Sequence, residues 1–353
     1  MEEKRFLLPH RIDSLQALRF LGAMCITVYH FTGLQGELPF DFSHAVYLFY
    51  MISAFAAMLS TEAPEKRRFF LTRRAIRLLP LYWGLTVATF AAGLLLPEFV
   101  GYTPTPAELI KSLLFIPYRR VTAKAGSALR PLVGLGHTLQ MEMLFYVFFF
   151  IALHISRKYR GYIAAVLCAA TALVGVLFPT KNPVIHFYTA NPYVWTSFIA
   201  GLLIYGAFYL LQKKQFRVNT GALPAAAAIA LTLGLAVPAL FCGTSVWYDI
   251  GLFAAVLVCG LVWSACGKKT PKLLVKLGDI SYSYYLLHYY VLTLAVRALG
   301  INSFSFRNLF LAVITSAAAW WISWVSWYLI ENKLSGMLLK LLPERRSPHS
   351  EAS

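Results

Sequence analysis

The stretch from Leu15 to Gly33, LQALRFLGAMCITVYHFTG, is an apolar segment that carries two ionisable side chains. A helix of about 20 residues, rising 1.5 Å per residue, crosses the roughly 30 Å core of a bilayer. Similar apolar runs recur along the 353-residue chain, which is 59% hydrophobic and 13% charged, with a mean hydropathy of +0.63. Soluble globular proteins carry about 25% charged residues. The sequence therefore predicts an all-α polytopic membrane protein, and it excludes a soluble globular enzyme, a disordered tail and a nucleic-acid module.

Ten membrane-spanning helices are predicted from windows of about twenty apolar residues. Because no loop between them is long enough to fold as a soluble catalytic domain, any chemistry must be carried by the helices. We expect a cytoplasmic tail at 1–14, a transmembrane domain at 15–333 and a second cytoplasmic tail at 334–353. The predicted spans are 15–33, 44–61, 80–97, 138–155, 161–179, 193–211, 221–241, 247–266, 281–299 and 309–329.

The distribution of basic residues predicts the orientation. The chain has 32 Lys and Arg residues against 15 Asp and Glu, a net charge of +17. With the N-terminus inside, 23 of the 32 lie on the inner side and 8 on the outer side. This positive-inside bias predicts cytoplasmic termini in a multi-pass protein of the cytoplasmic (inner) membrane. Anionic lipid headgroups are the expected partner of this charge, and nucleic acid is not. Five cysteines without CxxC spacing indicate neither a disulfide framework nor a metal site.

The first span places two ionisable side chains, which are energetically unfavourable within a membrane, on one helix face. Arg19 and His30 are eleven residues apart, almost three turns, so they lie about 16 Å apart along the axis. Ionisable groups within a membrane usually mark function. Small residues between them, Gly22 and Ala23, leave space along the helix. The alternative is that Arg19 snorkels to the headgroups and that His30 is an interfacial histidine.

A carboxylate in the fourth span is predicted near the depth of His30. The segment GHTLQMEMLFY places Glu142 about one turn below the outer surface. A buried carboxylate at this level is suited to orient an imidazole and to stabilise its charged form. The alternative is that Glu142 pairs with an arginine of the outer loop, Arg119 or Arg130.

A basic inner loop precedes the third span. The segment EAPEKRRFFLTRRAIRLLPLYW carries Lys66, Arg67, Arg68, Arg73, Arg74 and Arg77. Guanidinium forks suit phosphate because they donate two parallel hydrogen bonds. Lipid headgroups would satisfy the same side chains, and from the residues alone lipid contact or control of topology is the preferred explanation.

The ninth span begins GDISYSYYLLHYY, in which Ser281, Tyr285 and His288 share a helix face. An aromatic belt accounts for the tyrosines, but His288 lies about two turns deep, beyond the reach of a belt. Asp279 or Ser281 is expected to cap this helix.

A last carboxylate, Glu331, ends the tenth span at the predicted inner surface. Its simplest partner there is Lys333, which is two residues further along the chain.

Six motifs in order make the chain resemble the acyltransferase-3 family of integral membrane acyltransferases. RIDSLQALRFLGAMCITVYH has the family's Arg, ten residues, then His; FYMISAF is similar to FFxxSGF and includes Ser53. FLTRRAIRLLPLYW contains RxxR, and HTLQMEMLFY is similar to WxLxxExxFY. ISYSYYLLH matches ISYxxYLxH, and YLIEN resembles the terminal iE-x-P. Departures from the pattern, at Ala54, His137 and Lys333, put local packing and acceptor fit in doubt. The chain is expected to be a stand-alone member without a fused SGNH-type hydrolase domain.

The resemblance implies transfer of an acyl group, commonly acetyl and sometimes succinyl, from cytoplasmic acyl-CoA to a hydroxyl of a carbohydrate or lipid-linked glycan. Acyl-CoA is then a co-substrate, and no resident cofactor or metal is expected. His30 acts as general base or acyl carrier, Glu142 orients it or is its charge partner, and Arg19 marks the entrance to the channel. The donor-binding residues implied are Arg73, Arg74, Arg77, Tyr282, Tyr285 and His288, and the further motif residues are Ser53, Ser281 and Glu331.

Two other function classes remain open at this stage. A transporter or flippase would use His30 and Glu142 as a proton relay, with the arginines setting topology. A sensory or scaffolding protein leaves the Arg19 and His30 pair unexplained. The sequence does not name the acceptor. The outer-loop residues Tyr102, Tyr118, Arg119 and Arg120 are candidates to contact it, and an interfacial belt is the alternative explanation for them.

Overall fold

The computed structural model describes residues 3–5, 11–32, 42–63, 67–100, 102–122, 126–214, 217–219, 229, 245–299 and 306–342, and most of them are α-helical. A π-helical segment, Trp327–Leu334, joins the last two helices. The helices are α1 (Asp13–Thr32), α2 (Val46–Ser60, preceded by a 3-10 turn at Phe42–Ala45), α3 (Phe70–Leu95), α4 (Pro97–Val100), α5 (Pro106–Leu113), α6 (Gly136–Ile155), α7 (Arg160–Leu177), α8 (Pro183–Thr189), α9 (Pro192–Lys213), α10 (Ser245–Ala265), α11 (Lys272–Leu299), α12 (Phe306–Ser326) and α13 (Ser335–Lys340).

Two short antiparallel strand pairs add to the helices in the described part of the chain. Strand β1 (Glu3–Arg5) pairs with β4 (Arg217–Asn219), and β2 (Arg119–Thr122) pairs with β3 (Gly126–Leu129). These strands are three or four residues long and were not predicted; β1 precedes α1, and the other three lie between helices.

The prediction of a helical membrane protein is confirmed. Among the described residues, seven helical segments are long and apolar enough to cross a membrane. Helices α1 and α11 occupy predicted spans but are not among the seven, because polar side chains such as Arg19, His30 and His288 lower their hydropathy. The predicted span 221–241 lies outside the described residues except for residue 229. The total of ten spans and the cytoplasmic termini therefore stay predictions. The seven are Phe42–Ser60, Phe70–Leu95, Gly136–Ile155, Arg160–Leu177, Pro192–Lys213, Val246–Ala265 and Val313–Lys340.

Three helices extend beyond the predicted spans into polar sequence. Helix α3 begins ten residues before the predicted start at 80, so the RxxR segment is helical and Pro80 is internal. Helix α11 begins nine residues before the predicted start at 281, so the prediction that Asp279 or Ser281 caps it is wrong. The final helical segment continues through the π-helix to Lys340. A hydropathy window detects only the apolar part of a helix, and each of these helices also includes a more polar segment at one end.

Close backbone contacts hold the site helices together. Helix α1 packs extensively along α11, and α2 along α9. A Cβ on Gly278 would overlap the backbone carbonyl of Gln16, so α1 and α11 meet without an intervening side chain. Gly201 makes the same kind of contact with the Met51 carbonyl between α9 and α2. These glycines fix the distances between the helices that carry the polar residues.

The turn between α2 and α3 is held by a buried arginine. Arg160, at the start of α7, donates hydrogen bonds to the Glu62 carboxylate at 2.6 Å and to the Thr61 hydroxyl at 3.0 Å. The Tyr205 hydroxyl also donates to Glu62, at 2.6 Å. Arg67 donates to the main-chain carbonyls of Thr61 and Glu62. This network sets the position at which the arginine-bearing helix α3 begins.

Candidate active site

A cavity of about 410 Å³ lies between helices α1, α2, α3, α6 and α11. Eight of the twelve predicted site residues line it, so residues from separate sequence motifs meet at this cavity. Those eight are Arg19, Ser53, Arg73, Arg74, Arg77, Glu142, Tyr282 and Tyr285. The other four, His30, Ser281, His288 and Glu331, lie outside the lining.

The lining is strongly basic. Of the described residues that line the cavity, five are arginines and one, Glu142, carries a carboxylate. An excess of guanidinium groups in a partly enclosed cavity attracts anions. The five are Arg11, Arg19, Arg73, Arg74 and Arg77.

Two of these arginines, both on α3, differ in how they are held. The Arg74 guanidinium lies over the rings of Tyr146 and Phe70, 5.1 Å and 5.5 Å from their centroids. It also donates to the Ser60 hydroxyl at 3.4 Å. In contrast, Nε of Arg73 is buried and has no hydrogen-bond partner among the described residues. A buried donor without a partner costs about 1–3 kcal/mol, and an anionic ligand in the cavity would remove that cost.

Arg19 lies in a mixed electrostatic environment at the cavity wall. The charged groups that act on it electrostatically are Arg77, Glu331 and Glu142. Glu331 accepts a hydrogen bond from the Ser283 hydroxyl of α11 at 2.6 Å. Among the described residues the expected Glu331–Lys333 pair is not formed. The Lys333 ammonium lies 4.7 Å from the Tyr328 ring centroid instead. Glu331 is therefore part of the polar interior and faces α11.

Glu142 is bonded to two hydroxyl groups. Its Oε1 accepts hydrogen bonds from Ser53 of α2 and from Tyr146 of its own helix, each at 2.5 Å. Tyr146 follows Glu142 by four residues, so the two side chains share a helix face. Among the described residues, neither the predicted hydrogen bond to His30 nor the alternative pair with an outer-loop arginine is formed. The structure thus brings Glu142 to the cavity wall and separates it from His30.

His30 lies against a second histidine from the other end of the chain. The ring centroids of His30 and His288 are 5.4 Å apart, and the Tyr289 ring is 5.5 Å from His30. His288 is completely buried, and its Nδ1 is 3.0 Å from the main-chain oxygen of Tyr284. Arg19 and His30 therefore both face α11, as their shared helix face requires, with Arg19 near Glu331 and His30 near His288.

Tyrosines of α11 separate the cavity from the histidines. The hydroxyls of Tyr285 and Thr138 are hydrogen-bonded at 2.9 Å, and both residues line the cavity. The Tyr285 ring centroid is 6.1 Å from that of His288, which lies one turn further along the helix. The Tyr282 hydroxyl donates to the Leu78 carbonyl at 2.7 Å and so links α11 to α3. Ser281 is buried, and its hydroxyl has no partner in the described part of the chain.

A family model described as an acyltransferase domain, that of the acyltransferase-3 family, matches residues 12–328. The chain belongs to this family. The resemblance inferred from the six motifs is thereby confirmed, and the protein is a membrane acyltransferase of the O-acetyltransferase type. The exopolysaccharide production protein ExoZ of Rhizobium meliloti (strain 1021) is 29% identical over 298 residues, covering 82% of this chain and 86% of the relative. No solved structure matches the chain.

Several residues of the acyltransferase-3 cavity were missed by the sequence analysis. Tyr146 was detectable from its spacing of four residues from Glu142, whereas Thr138 gave no signal beyond its place in the motif. Arg11 lies just before α1, donates to Asp13 at 3.1 Å and to Asp279 at 3.2 Å, and also lines the cavity. Partial burial lowers the Arg11 pKa, but the two carboxylates outweigh it and raise the pKa above its ordinary value.

In the outer loop of this acyltransferase-3 protein, Tyr102 and Tyr118 contact other residues of the same region. The Tyr118 hydroxyl is 3.0 Å from that of Ser112, and the side chain is buried. The Arg120 guanidinium lies 5.1 Å from the Tyr102 ring centroid, and burial raises the pKa of Tyr102. Contact of these two residues with an acceptor stays a prediction.

Proposed function

We propose that this acyltransferase moves a short acyl group from cytoplasmic acyl-CoA to a hydroxyl of a carbohydrate or lipid-linked glycan, with acetyl as the first candidate and succinyl as the second. The observation that carries the proposal is the basic cavity that ends at Tyr285, one helical turn from the His30 and His288 pair. The carbohydrate acceptor is supported by the similarity to a protein named for exopolysaccharide production. The positive-inside bias favours the cytoplasmic membrane as the location.

The donor end of the proposal rests on the arginines of the cavity. CoA carries several phosphate groups, and guanidinium forks bind phosphate with two parallel hydrogen bonds. Arg73, Arg74 and Arg77 lie within two turns of α3 and supply such forks, with one buried Nε still unpaired. The pantetheine arm then follows the cavity past Ser53 and Glu142 toward Tyr285.

The reaction end of the proposal rests on His30. Its imidazole takes the proton of the acceptor hydroxyl as the oxygen bonds to the acyl carbon and the carbon–sulfur bond breaks. The proton then passes to the CoA sulfur, so the products are the ester and free CoA. In the second route, a His30 nitrogen bonds to the acyl carbon as the carbon–sulfur bond breaks and CoA leaves as the thiolate. The acceptor oxygen then bonds to the acyl carbon as the carbon–nitrogen bond breaks, and the hydroxyl proton passes to the CoA sulfur. Both routes require the thioester to pass the Tyr285–Thr138 hydrogen bond.

Binding of acetyl-CoA to the purified protein in lipid nanodiscs tests the donor end. We expect Arg73→Gln to weaken binding about 10- to 100-fold, because one hydrogen bond to a charged group contributes about 1.5–3 kcal/mol. Arg68→Gln is the matched control, since Arg68 is exposed, lies over the Phe69 ring and does not line the cavity. Equal affinities for the two variants would contradict the assignment of the cavity.

The mass of surface glycans tests the whole reaction. Cells that express the wild type, His30→Ala or no copy are compared, and an acyl increment is expected only with the wild type. A full increment with His30→Ala would end this mechanism. A change in glycan amount without a change in mass, together with no acetyl-CoA binding, would indicate a flippase.

A further inference from the structure

We infer that His288 is the positioning partner of His30: its bare Nε2 accepts the N–H of His30 and leaves the other His30 nitrogen free to act on the substrate. The inference rests on the proposed function. It gives His288 a role different from lining the donor channel, and it transfers the orienting role from Glu142 to His288.

The first step is the tautomer of His288. Its Nδ1 lies 3.0 Å from the Tyr284 main-chain oxygen, and a carbonyl oxygen only accepts hydrogen bonds. The proton of the neutral ring is therefore on Nδ1. The other nitrogen, Nε2, is left as an acceptor with a free lone pair.

The second step is that Nε2 has no partner of its own. His288 is 0% exposed, and Nε2 makes no hydrogen bond among the described residues. The neighbouring tyrosine hydroxyls are occupied: Tyr284 with Thr27 and Ser316, and Tyr285 with Thr138. A buried acceptor left unpaired costs about 1–3 kcal/mol, so a partner that engages it during the reaction is stabilising.

The third step is the position of His30. Two imidazoles joined by an N–H···N bond have centroids about 5.2 Å apart, from an N···N distance of about 3 Å and about 1.1 Å from each ring centre to its nitrogen. The observed separation is 5.4 Å. Catalytic hydrogen bonds are often long or poorly aligned without substrate and tighten in the complex. The ring separation is thus compatible with this bond, which requires the two imidazoles to turn a nitrogen toward each other.

Glu142 does not hold this position in the structure. Its Oε1 accepts hydrogen bonds from Ser53 and Tyr146, and no hydrogen bond joins Glu142 to His30 among the described residues. Helix α1 is fixed against α11 by the Thr27–Tyr284 hydrogen bond at 2.8 Å, one turn from His30. The backbone contact at Gly278 fixes the other end of the same helix pair. His30 and His288 are therefore held as a pair by the helices that carry them.

Two substitutions separate positioning from structural support, because each keeps one of the two nitrogens. His288→Asn places an amide N–H where Nδ1 was and keeps the bond to Tyr284, but it has nothing at the position of Nε2. His288→Gln places a carbonyl oxygen at the position of Nε2 and loses the Nδ1 donor. Acetyl-CoA-dependent transfer is measured in membrane vesicles that contain the endogenous acceptor, and kcat is separated from KM for the donor.

The expected result is that His288→Asn lowers kcat about 100-fold, since general acid–base assistance contributes typically 10²–10⁴-fold. His288→Gln is expected to stay within about 10-fold of the wild type, and KM for acetyl-CoA is expected to change little in either. The reverse order, or wild-type kcat in His288→Asn, overturns the inference. If His288→Asn fails to bind acetyl-CoA, His288→Ala takes its place in the comparison. Absence of transfer by the wild type would instead overturn the proposed function itself.

Discussion

The coupling between Ser53 and Glu142 offers a quantitative test of the cavity wall. In the structure, the Glu142 carboxylate accepts two hydrogen bonds of 2.5 Å, from Ser53 and Tyr146. A bond to a charged acceptor contributes about 1.5–3 kcal/mol, and one to a neutral acceptor about 0.5–1.5 kcal/mol. If this bond also supports the transition state, Ser53→Ala raises the activation free energy by about 2 kcal/mol when residue 142 is Glu, but by about 1 kcal/mol when it is Gln.

At 1.4 kcal/mol per factor of ten, Ser53→Ala is expected to lower kcat/KM about 30-fold in the wild-type background. In the Glu142→Gln background it is expected to lower it only about 5-fold. The assay is the initial rate of acetyl transfer in membrane vesicles at subsaturating acetyl-CoA. Ser323→Ala is the control, because its hydroxyl donates to the Ala319 carbonyl of its own helix, away from the cavity, and its effect should be additive with Glu142→Gln. The same factor for Ser53→Ala in both backgrounds would refute the proposed coupling.

Two further predictions concern the scaffold. Thermal denaturation in detergent measures the stability of the variants, and acetyl-CoA binding is measured as well for the glycine variants. Gly278→Ala is expected to separate α1 from α11 and to abolish acetyl-CoA binding, because its Cβ would overlap the Gln16 carbonyl; Gly336→Ala, which meets open space, should leave both stability and binding intact. Wild-type stability in Gly278→Ala would contradict the observed backbone contact. Arg160→Ala is expected to destabilise the protein by about 2 kcal/mol, less than a fully buried pair because the Glu62 side chain is 42% exposed. An unchanged midpoint in Arg160→Ala would show that this network does not hold the turn before α3.

Which site residues share a helix face was predicted well from the sequence, because spacing along a helix is a local property. Arg19 and His30 face the same neighbouring helix, as eleven residues at 3.6 per turn require. The RxxR arginines line the cavity because they share one face of α3. The start of that helix was missed, since its first ten residues are too polar for a hydropathy window. The predicted span for α11 was also too short, because the first nine residues of that helix are polar enough to fall outside the hydropathy window.

Contacts between distant helices were harder to predict from the sequence. Glu142 was expected beside His30 because both were placed at one depth, but depth does not determine which helix faces which. The proximity of His30 and His288, 258 positions apart in the chain, follows only from the packing of α1 along α11. Glu331 was assigned to the membrane surface because it lies two residues beyond the predicted span 309–329. Its bond to Ser283 depends on how the last helices pack against α11.

The pairing of α1 with α11 has a consequence for biosynthesis. Arg19 and His30 enter the membrane with the first helix, while Ser283, His288 and Glu331 are translated more than 250 residues later. Chains emerge N-terminus first, so during most of synthesis the first helix exposes its charged face without its final neighbours. Such a helix is costly to leave in lipid and needs temporary protection by the insertion machinery. The enzyme therefore gains its histidine pair and its cavity wall only when the last helices have docked, and a chain truncated before residue 272 would leave the first helix without its native binding surface.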